Sequence, residues 1–482
     1  MGKLALIGLD GMSWHVLLSY QDAFKSTLKL ASNGMRGICW SIPPYTPPSW
    51  ISISTGVHPL KHKILGFTKP LIDKKGNVKT VLIKSTDIKY PRLSEILSMN
   101  GMKSLVINHI FSYPLTGWFL FNHVIVSDDT SPQKIIFPRK FNMFLKYFQC
   151  SIKGSKESDK WIVDLAQKLE AKIEGIHKLI QEVEPDFLWV MFKEPDIIMH
   201  YLQFVAAGLH NDKVMEVFSL IDDFIDYVKK QFDYVVIVSD HGFNVYINRL
   251  NVYSILAKGL HLEETKRAIL LKIFVLPLSK YVTWFLLSSM FKQSLWYKLR
   301  HYISLYFGSR KKFCNKINNV NNSTIFFDEV DADDAFIVYI LDDEIFKKAI
   351  SILKRHKLIE DATPFDIGGI KGILVVPKKG LHFINNRAYK EELIYFAASR
   401  HSPAGLYIIY GKHLSSEVRN INNYDIAPTV LSLLKIPLAT HFDGKPLVLQ
   451  PQLEKKDYLS KYYLLKKLYK IKEKVSLGGI YG

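Results

Sequence analysis

Short, continuously apolar runs alternate with helix-like patterns along most of this 482-residue chain. Strands that are buried on both faces have this character, whereas strands with one solvent-facing side alternate apolar and polar residues. Helix patterns lie between the runs, for example at residues 17–33 and 157–184. The alternation predicts an α/β fold with a mostly parallel central sheet and helices on both faces. The runs that carry this prediction are LALIGL, KSLVINH, DFLWVMF and DYVVIVSD.

The alternation of apolar runs and helix patterns is interrupted between residues 255 and 385. In this segment AFIVYIL and KGILVVP resemble strands of a smaller unit. We expect this segment to form an α+β cap inserted into the α/β core. The expected division is 1–254 for the first part of the core, 255–385 for the cap, 386–450 for the C-terminal part of the core and 451–482 for a basic amphipathic tail.

Two segments raise the question of a membrane. Residues 268–291 are strongly apolar, but Lys272, Pro277 and Lys280 interrupt them, so the run of about 20 apolar residues that crosses a bilayer is missing. We predict one or two amphipathic helices there. The tail at 454–474 has Lys, Tyr and Leu at helical spacing, which suits either a helix packed on the body or contact with a membrane surface.

The net charge of +19 suits an anionic substrate or surface, although a solvated basic surface gives the same number. Without a helix-turn-helix, zinc-finger or RNA-binding signature, nucleic acid is not expected as a specific partner. The cysteines Cys39, Cys150 and Cys314 lack CxxC spacing, which favours a reducing compartment. The N-terminal apolar run is short and lacks a small-residue cleavage site, so we expect no signal peptide and a cytoplasmic location, with membrane association left open. The sequence leaves the oligomeric state open.

Acidic and histidine side chains stand where the predicted strands end. Ligands of a parallel sheet bind outside the carboxyl ends of its strands, so these side chains are expected to converge on one crevice. Each alone has an ordinary explanation, since an aspartate after a strand is often a helix cap. The residues are Asp10 after the first strand, Asp196 and His200 after DFLWVMF, Asp240 and His241 after DYVVIVSD, and His401 before GLYIIYG.

This donor set suits two divalent metal ions. Mixed carboxylate and imidazole ligands favour zinc, with manganese or iron as alternatives, over calcium or magnesium. Asp196 and His200 are four residues apart and share a helical face. Two ions about 4 Å apart clamp both the attacking and the leaving oxygen of a phosphoryl transfer.

Thr46 lies among four prolines in PPYTPPSWISISTG, just before a short helix pattern. Prolines restrict the backbone and so lower the entropy cost of holding one hydroxyl in place. A bound metal lowers the pKa of a hydroxyl and makes it a nucleophile. The N-terminal amides of the following helix are expected to face the same place, which suits an anion. The plain alternative is a helix N-cap beside a proline turn.

These residues resemble the type I phosphodiesterase/nucleotide pyrophosphatase family, in its microbial subgroup, within the alkaline phosphatase superfamily. The resemblance follows the family's order and covers most of the chain outside the predicted cap. It implies an alkaline phosphatase-like fold. The matching blocks are LIGLDGM, PPYTPPSWISISTGVHPLKHKILGF, FKEPDIIMH, VIVSDHGF, SRHSPAG and NYDIAPTVLSLLKIPLATHFDGKPL.

The resemblance also implies roles for individual residues. Thr46 would be the nucleophile and would form a covalent phospho-threonine that water then releases. One metal would be held by Asp196, His200 and His401, and the other by Asp10, Asp240, His241 and Thr46.

The chain departs from the family pattern near the nucleophile. Nucleotide pyrophosphatases commonly have Asn three residues after the threonine, where this chain has Ser49, followed by Trp50. Lys63 replaces the glycine of a frequent His-Gly-Ile sequence and is either a substrate contact or simply exposed. Ser49, Trp50 and Lys63 are therefore the candidate substrate-binding residues. A CxPxR block is missing, which disfavours a sulfatase, and an arginine near Thr46 is missing, which disfavours a monoesterase.

The sequence thus predicts a metal-dependent hydrolase that cleaves phosphodiester or pyrophosphate bonds of a small anionic phosphoester. A phosphoryl or phosphoalcohol transferase of the same superfamily would use the same residues and pass the adduct to an alcohol. A non-catalytic protein on this fold, bound to a membrane surface through the insertion or the tail, is the third hypothesis.

Overall fold

The structure, a computed structural model, describes residues 2–72, 78–115, 120, 122–148, 160–261, 325–326, 337–384, 391–448 and 453–478. Strands β1 to β21 of these ranges are, in chain order, Leu4–Leu9, Met35–Trp40, Thr68–Ile72, Val78–Leu82, Ser104–Ile107, His123–Val126, Ile136–Phe137, Phe187–Phe192, Tyr234–Val238, Gly242–Leu250, Ile325–Phe326, Ile337–Ile340, Ile359–Ile367, Ile370–Pro377, Leu381–Phe383, Leu393–Ser402, Ala404–Gly411, Glu417–Val418, Ile421–Asn422, Leu438–Ala439 and Lys455–Lys456.

Helices α1 to α13 of the described ranges are, in the same order, Trp14–Ser19, Lys25–Asn33, Thr46–Thr55, Pro59–His62, Leu93–Met99, Lys160–Val183, Glu194–Tyr201, Gln203–Ala206, Asp212–Lys229, Val252–Gly259, Asp343–Arg355, Ile426–Leu433 and Tyr458–Gly478. Short 3-10 helices cover Ser85–Asp87, Arg139–Tyr147 and Asn423–Asp425.

The central sheet has the strand order β18-β2-β17-β9-β1-β8-β5-β6-β7. β1 pairs in parallel with both β8 and β9, and β5 pairs in parallel with β8 and β6. β17 runs antiparallel to its two neighbours, β9 and β2. The predicted α/β fold with a mostly parallel sheet is therefore confirmed, and β17 presents its amino end at the edge where the neighbouring strands present their carboxyl ends.

Burial explains why the strand runs are continuously apolar. All six side chains of β1 are buried. Ala5, Ile7 and Leu9 point into the hydrophobic cluster that α6 and α9 cover. Leu4 and Leu6 point into the opposite cluster, which α3, α5 and α12 cover. Because both faces are covered by helices, neither position along the strand tolerates a polar side chain, and the period of two disappears.

Two predicted long helices are divided. Residues 17–33 form α1 and α2, and α2 begins where the Asp222 carboxylate accepts hydrogen bonds from the backbone N–H groups of Ser26 and Thr27, each 2.8 Å long. The helix-like sequence pattern of residues 196–231, which suggests one long helix, forms α7, α8 and α9. Gly208, at φ +80°, ends the first part because a left-handed residue cannot continue a helix.

A smaller sheet with the order β11-β12-β14-β13 packs with α10 and α11 around a third hydrophobic cluster. The predicted strands AFIVYIL and KGILVVP are β12 and β14 of this sheet. The apolar and basic stretch at 268–312 lies outside the described residues. The segment boundaries at 255 and 385 stay a prediction.

The tail helix α13 packs on the body. Tyr458 and Tyr462 are buried, and the Tyr462 hydroxyl donates to Glu95 Oε1 at 3.1 Å. Lys461 Nζ donates to the carbonyl of Met99 at 2.9 Å. Within the described ranges, no helix combines the length and the apolarity that crossing a bilayer needs.

Three buried histidines, His62, His109 and His123, make the fold sensitive to acid. Burial lowers the pKa of each to about 3 from an ordinary value of 6.5. The unfolded chain therefore binds more protons than the folded chain below pH 6.5. Stability is fully present above that pH and falls as the pH drops toward 3, by roughly 2 kcal/mol per histidine at pH 5.

Urea unfolding at pH 7.5 and pH 5 measures this loss. His123→Gln is expected to reduce the difference between the two pH values, and the exposed His413→Gln is the matched control that leaves it unchanged. A pH dependence that is identical in His123→Gln and wild type would contradict the assignment.

Candidate active site

The sheet brings the predicted side chains to one edge. Asp10 follows β1, while Asp240 and His241 follow the adjacent strand β9. Asp196 lies in α7, which starts after β8, the other neighbour of β1. His401 lies at the end of β16, just before β17, so the antiparallel direction of β17 returns it to the same edge. The side chains of these five aspartates and histidines thus approach each other from the ends of β1, β8, β9 and β16.

Thr46 is the first residue of α3, and Tyr45 is its N-cap. Every residue of this ten-residue helix is buried, so the hydroxyl is held by packing on all sides of the helix. The structure corrects one expectation here. The helix begins at Thr46 rather than after the prolines, and Pro47 and Pro48 occupy its first turn without N–H groups, while the amide of Ser49 donates to Tyr45 O at 3.1 Å. The first turn therefore offers few free amides to an anion.

The first group of donors surrounds His241. Its Nε2 lies 3.2 Å from Thr46 Oγ1, 3.2 Å from Asp240 Oδ2 and 3.6 Å from Asp10 Oδ1. Asp240 also accepts a hydrogen bond from the backbone N–H of Gly11 at 3.1 Å, which fixes its orientation. Asp10, Asp240 and His241 are buried and could together hold a metal ion.

The second group of donors surrounds Asp196. Its Oδ1 lies 3.4 Å from His200 Nε2 and 3.4 Å from His401 Nε2, and the two imidazole nitrogens are 2.9 Å apart. The ring of His401 stacks on that of His241 with 3.9 Å between the centroids. The two groups are therefore contiguous, and Asp196, His241 and His401 also have donor atoms within 4.8 Å of one another.

These distances fit tetrahedral metal sites. Ligand bonds of about 2.0–2.1 Å at tetrahedral angles place neighbouring donor atoms about 3.3 Å apart. The donor pairs within the two groups span 2.9–3.6 Å. The buried oxygens Asp10 Oδ1, Asp196 Oδ1 and Asp240 Oδ2 have no hydrogen-bond partner among the described residues. Since buried polar atoms are normally satisfied, a cation is the partner that this cluster lacks.

The pKa values of the site residues also indicate that this cluster suits a cation. Burial, and next the carboxylate of Asp196, raise the pKa of Asp10 to about 8. Burial and the charge of Asp10 hold the pKa of Asp240 well above its usual range. Burial would also raise the pKa of Asp196, but His200 and His401 hold it well below the usual range. Burial keeps the pKa of His241 well below 6.5, so this imidazole is neutral and can act as a ligand.

The candidate substrate-binding residues are placed differently from one another. Ser49 and Trp50 are fully buried, and Ser49 Oγ donates to Pro43 O at 3.3 Å. Trp50 packs so closely on β1 that a Cβ added to Gly8 would lie 2.4 Å from its ring. Lys63 has an exposed side chain and a left-handed backbone at φ 61°.

Two aromatic rings complete the site and were not predicted. Phe243 packs edge-on against both His200 and His401, with 5.0 and 4.9 Å between centroids. Tyr45 stacks on His401 at 6.1 Å. Both lie within two residues of a predicted site residue, so their neighbourhood in the sequence was the available signal.

The chain is similar to known proteins in its sequence family and in its fold. A family model described as type I phosphodiesterase / nucleotide pyrophosphatase matches residues 4–403. Phosphonoacetate hydrolase from Sinorhizobium meliloti 1021, solved with phosphonoformate, is 15% identical with a TM-score of 0.53 over 89% of this chain and 94% of that chain. The same enzyme with phosphonoacetate gives 13% identity and a TM-score of 0.50 over 89% and 94%. No curated protein sequence matches this chain.

Proposed function

The chain belongs to the type I phosphodiesterase / nucleotide pyrophosphatase family and is a phosphoric ester hydrolase of the alkaline phosphatase superfamily, and from that premise we propose that it cleaves phosphodiester or pyrophosphate bonds through a phospho-threonine formed on Thr46. The family match confirms the resemblance found in the sequence. The family implies divalent metal ions.

One observation carries the proposal. The Thr46 hydroxyl lies 3.2 Å from Nε2 of His241, inside a buried group of two carboxylates and an imidazole. A threonine that served only as a helix N-cap would instead occupy the residue before the helix, and Tyr45 has that position here. The cluster offers the hydroxyl a set of metal-binding partners that a structural threonine does not need.

The donor groups divide between two metal ions. We assign Asp196, His200 and His401 to one ion, and Asp10, Asp240, His241 and Thr46 to the other. Zinc suits this mixture of nitrogen and oxygen ligands, with manganese or iron as alternatives. When bound, such ions lower the pKa of a hydroxyl and neutralise the charge of a phosphoryl group.

Packing within the chain orients the nucleophilic hydroxyl and the histidine rings for the reaction. Packing of α3 holds Thr46 Oγ1 at one place, so the phosphorus approaches an oriented oxygen. In the first step the bond from Oγ1 to phosphorus forms and the bond to the leaving oxygen breaks. In the second step water attacks phosphorus and the threonine hydroxyl is restored. Phe243 and Tyr45 flank the histidines and keep their rings in orientation.

Hydrolysis of bis-p-nitrophenyl phosphate in H₂¹⁸O tests this function and separates it from transfer. The zinc- or manganese-loaded protein is expected to release p-nitrophenol, and the p-nitrophenyl phosphate formed is expected to contain one ¹⁸O atom because water resolves the phospho-threonine. A phosphoryl or phosphoalcohol transferase would instead yield an ester of an added alcohol without ¹⁸O. Release of no p-nitrophenol across a panel of diesters and pyrophosphates would contradict the proposal.

The substrate that we propose is a small anionic phosphoester. The net charge of +19 attracts such molecules from solution, although it does not select among nucleotides, phospholipid head groups and sugar nucleotides. Contacts of Ser49, Trp50 and Lys63 with that substrate, a cytoplasmic location and contact of the tail or the insertion with a membrane surface stay predictions.

A further inference from the structure

Trp50 is fully buried on the helix that begins at the candidate nucleophile. It lies four residues after Thr46 in α3, so the two side chains share one face of the helix. The relative exposure of Trp50 is 0%, whereas Thr46 keeps 7%. A side chain that is closed off from solvent acts on a reaction through the groups that it contacts, so the neighbours of this indole decide what it does.

The first neighbour is the strand that ends at the metal site. A Cβ added to Gly8 would lie 2.4 Å from Cη2 and 2.9 Å from Cζ3 of the Trp50 ring, so the ring covers this glycine directly. The even-numbered residues of β1 face the hydrophobic cluster that contains Trp50. The strand pairing continues to Asp10, whose backbone N–H donates to Phe192 O at 2.9 Å. Gly8 and Asp10 therefore lie one strand period apart on the face that Trp50 covers.

The second neighbour is the carboxyl group of Asp10. Burial raises the pKa of Asp10 to about 8, with Asp196 adding to the rise, and hydrogen bonding from the Trp50 side chain acts in the opposite direction. Nε1 of Trp50 and Oδ1 of Asp10 are both buried, and neither completes a hydrogen bond of ordinary geometry among the described residues. Buried polar groups are normally paired, so a donor and an acceptor that are left over side by side suit one another.

A carboxylate that ligates a metal needs such a donor. Metal ligands are usually held in orientation by a hydrogen bond from a further residue. Asp240 has one, because the backbone N–H of Gly11 donates to its Oδ1 at 3.1 Å. Trp50 offers the corresponding donor to Asp10. An indole N–H donates one hydrogen bond and accepts none, so it can orient the carboxylate without competing with it for the metal.

We propose that Trp50 is a positioning residue of the metal site, whose indole N–H donates to the Asp10 carboxylate and orients this ligand toward the ion that it shares with Asp240 and His241. The inference rests on the proposed function, because it uses the metal assignment made there. It also couples two parts of the site. Thr46 and Trp50 move together on α3, so the nucleophile and the orientation of a metal ligand depend on the same helix.

Replacing only the N–H group tests this role. Trp50→Phe keeps an aromatic ring, and 3-benzothienylalanine incorporated at position 50 keeps the whole bicyclic ring with sulfur in place of N–H. The second change preserves the packing if the smaller phenyl ring does not. Zinc titration against a chelating indicator measures both equivalents. Each change is expected to weaken one zinc equivalent by about 10- to 100-fold and to leave the other unchanged, because lost hydrogen bonds to metal ligands have effects of this size.

Cobalt provides a readout that a general loss of packing does not produce. The visible absorption of bound Co²⁺ depends on the geometry of its ligands. At saturating cobalt, both proteins changed at position 50 are expected to show an altered band for one of the two ions. Their kcat/KM for bis-p-nitrophenyl phosphate is expected to fall at limiting free zinc and to return to within about threefold of wild type at saturating zinc.

Trp189→Phe is the matched control. Trp189 is buried, its N–H also lacks a hydrogen-bond partner among the described residues, and its ring meets that of Trp50 edge-on with 6.2 Å between centroids. It pairs with Leu6 of β1, which is four residues and about 13 Å along the strand from Asp10. Trp189→Phe is therefore expected to keep both zinc affinities and the cobalt spectrum of wild type.

Two results would overturn the positioning role and leave the proposed function intact. One is wild-type affinity for both zinc ions in the protein with 3-benzothienylalanine at position 50. The other is a weakening in Trp189→Phe as large as that in Trp50→Phe. A wild type that binds no stoichiometric zinc and hydrolyses no diester would remove the proposed function and this inference with it.

Discussion

Thr46→Ala is expected to lower kcat for diester hydrolysis by about 10³-fold or more, because it removes the atom that forms the covalent bond to phosphorus. The loss has this size because water, the remaining nucleophile, is not held in the orientation that the packing of α3 gives to Oγ1. Substrate binding is expected to change far less, so KM and kcat should separate. Stopped assays for p-nitrophenol with the metal-loaded variant measure both constants.

Thr46→Ser is the matched variant, since it keeps a hydroxyl on the same helix turn and removes only a methyl group. It is expected to retain activity within about tenfold of wild type. A p-nitrophenyl phosphoryl group trapped on the protein by rapid acid quench should be present in wild type and Thr46→Ser and absent in Thr46→Ala. Activity of Thr46→Ala equal to wild type would remove the nucleophile assignment.

Removal of metal is the second large effect. A chelator is expected to reduce hydrolysis by about 10³-fold or more and to lower the melting temperature by about 5 °C or more. The second expectation follows from the site itself, because two carboxyl groups at its centre, Asp10 and Asp240, lose the cation that faces them in a buried position. Added zinc or manganese should restore both properties, and metal analysis of the loaded protein should give about two equivalents.

Asp240→Asn is expected to change the stability of the protein in opposite directions with and without metal. This separates a loss of metal binding from a general loss of stability. With metal present the variant is expected to bind about one equivalent less and to be less stable than wild type. Without metal it is expected to be more stable than metal-free wild type at pH 7.5, because burial and the neighbouring Asp10 raise the pKa of Asp240, so keeping this carboxyl in the folded state costs stability that a neutral amide avoids. A variant that is less stable than wild type in both conditions would contradict the placement of a metal between these carboxylates.

The sequence predicted the outline of this site for a simple reason. Asp10, Asp240 and Asp196 each follow a run whose uninterrupted apolar character identified a doubly covered strand, and the edge of a parallel sheet collects such residues. The prediction that His401 belongs to the site relied on the resemblance to the family as well as on the strand pattern that follows this residue. The start of α3 was misplaced because prolines suggested a turn, whereas the first turn of a helix accepts Pro47 and Pro48 without loss of a hydrogen bond.

Other features depend on tertiary contacts that no local pattern carries. The break between α1 and α2 depends on Asp222, almost two hundred residues away from the amides it accepts. Lys134, Lys168 and Lys193 come together from a loop, a helix and a strand end whose spacing in the sequence is irregular. The burial of Ser49 and Trp50 could not be read from α3 either, because all faces of this helix are covered and its sequence shows no amphipathic period.

The antiparallel strand β17 has a consequence for biosynthesis. It supplies a central position of the sheet and holds His401 at the site, yet its pairing partners β9 and β2 are made far earlier. A nascent chain still short of residue 404 has β9 and β2 without the strand that lies between them, and folding must wait for contacts of very long sequence separation. We therefore expect the site to form only after residues 404–411 have been made, and we expect the edges of β9 and β2 that β17 covers to stay unpaired until then.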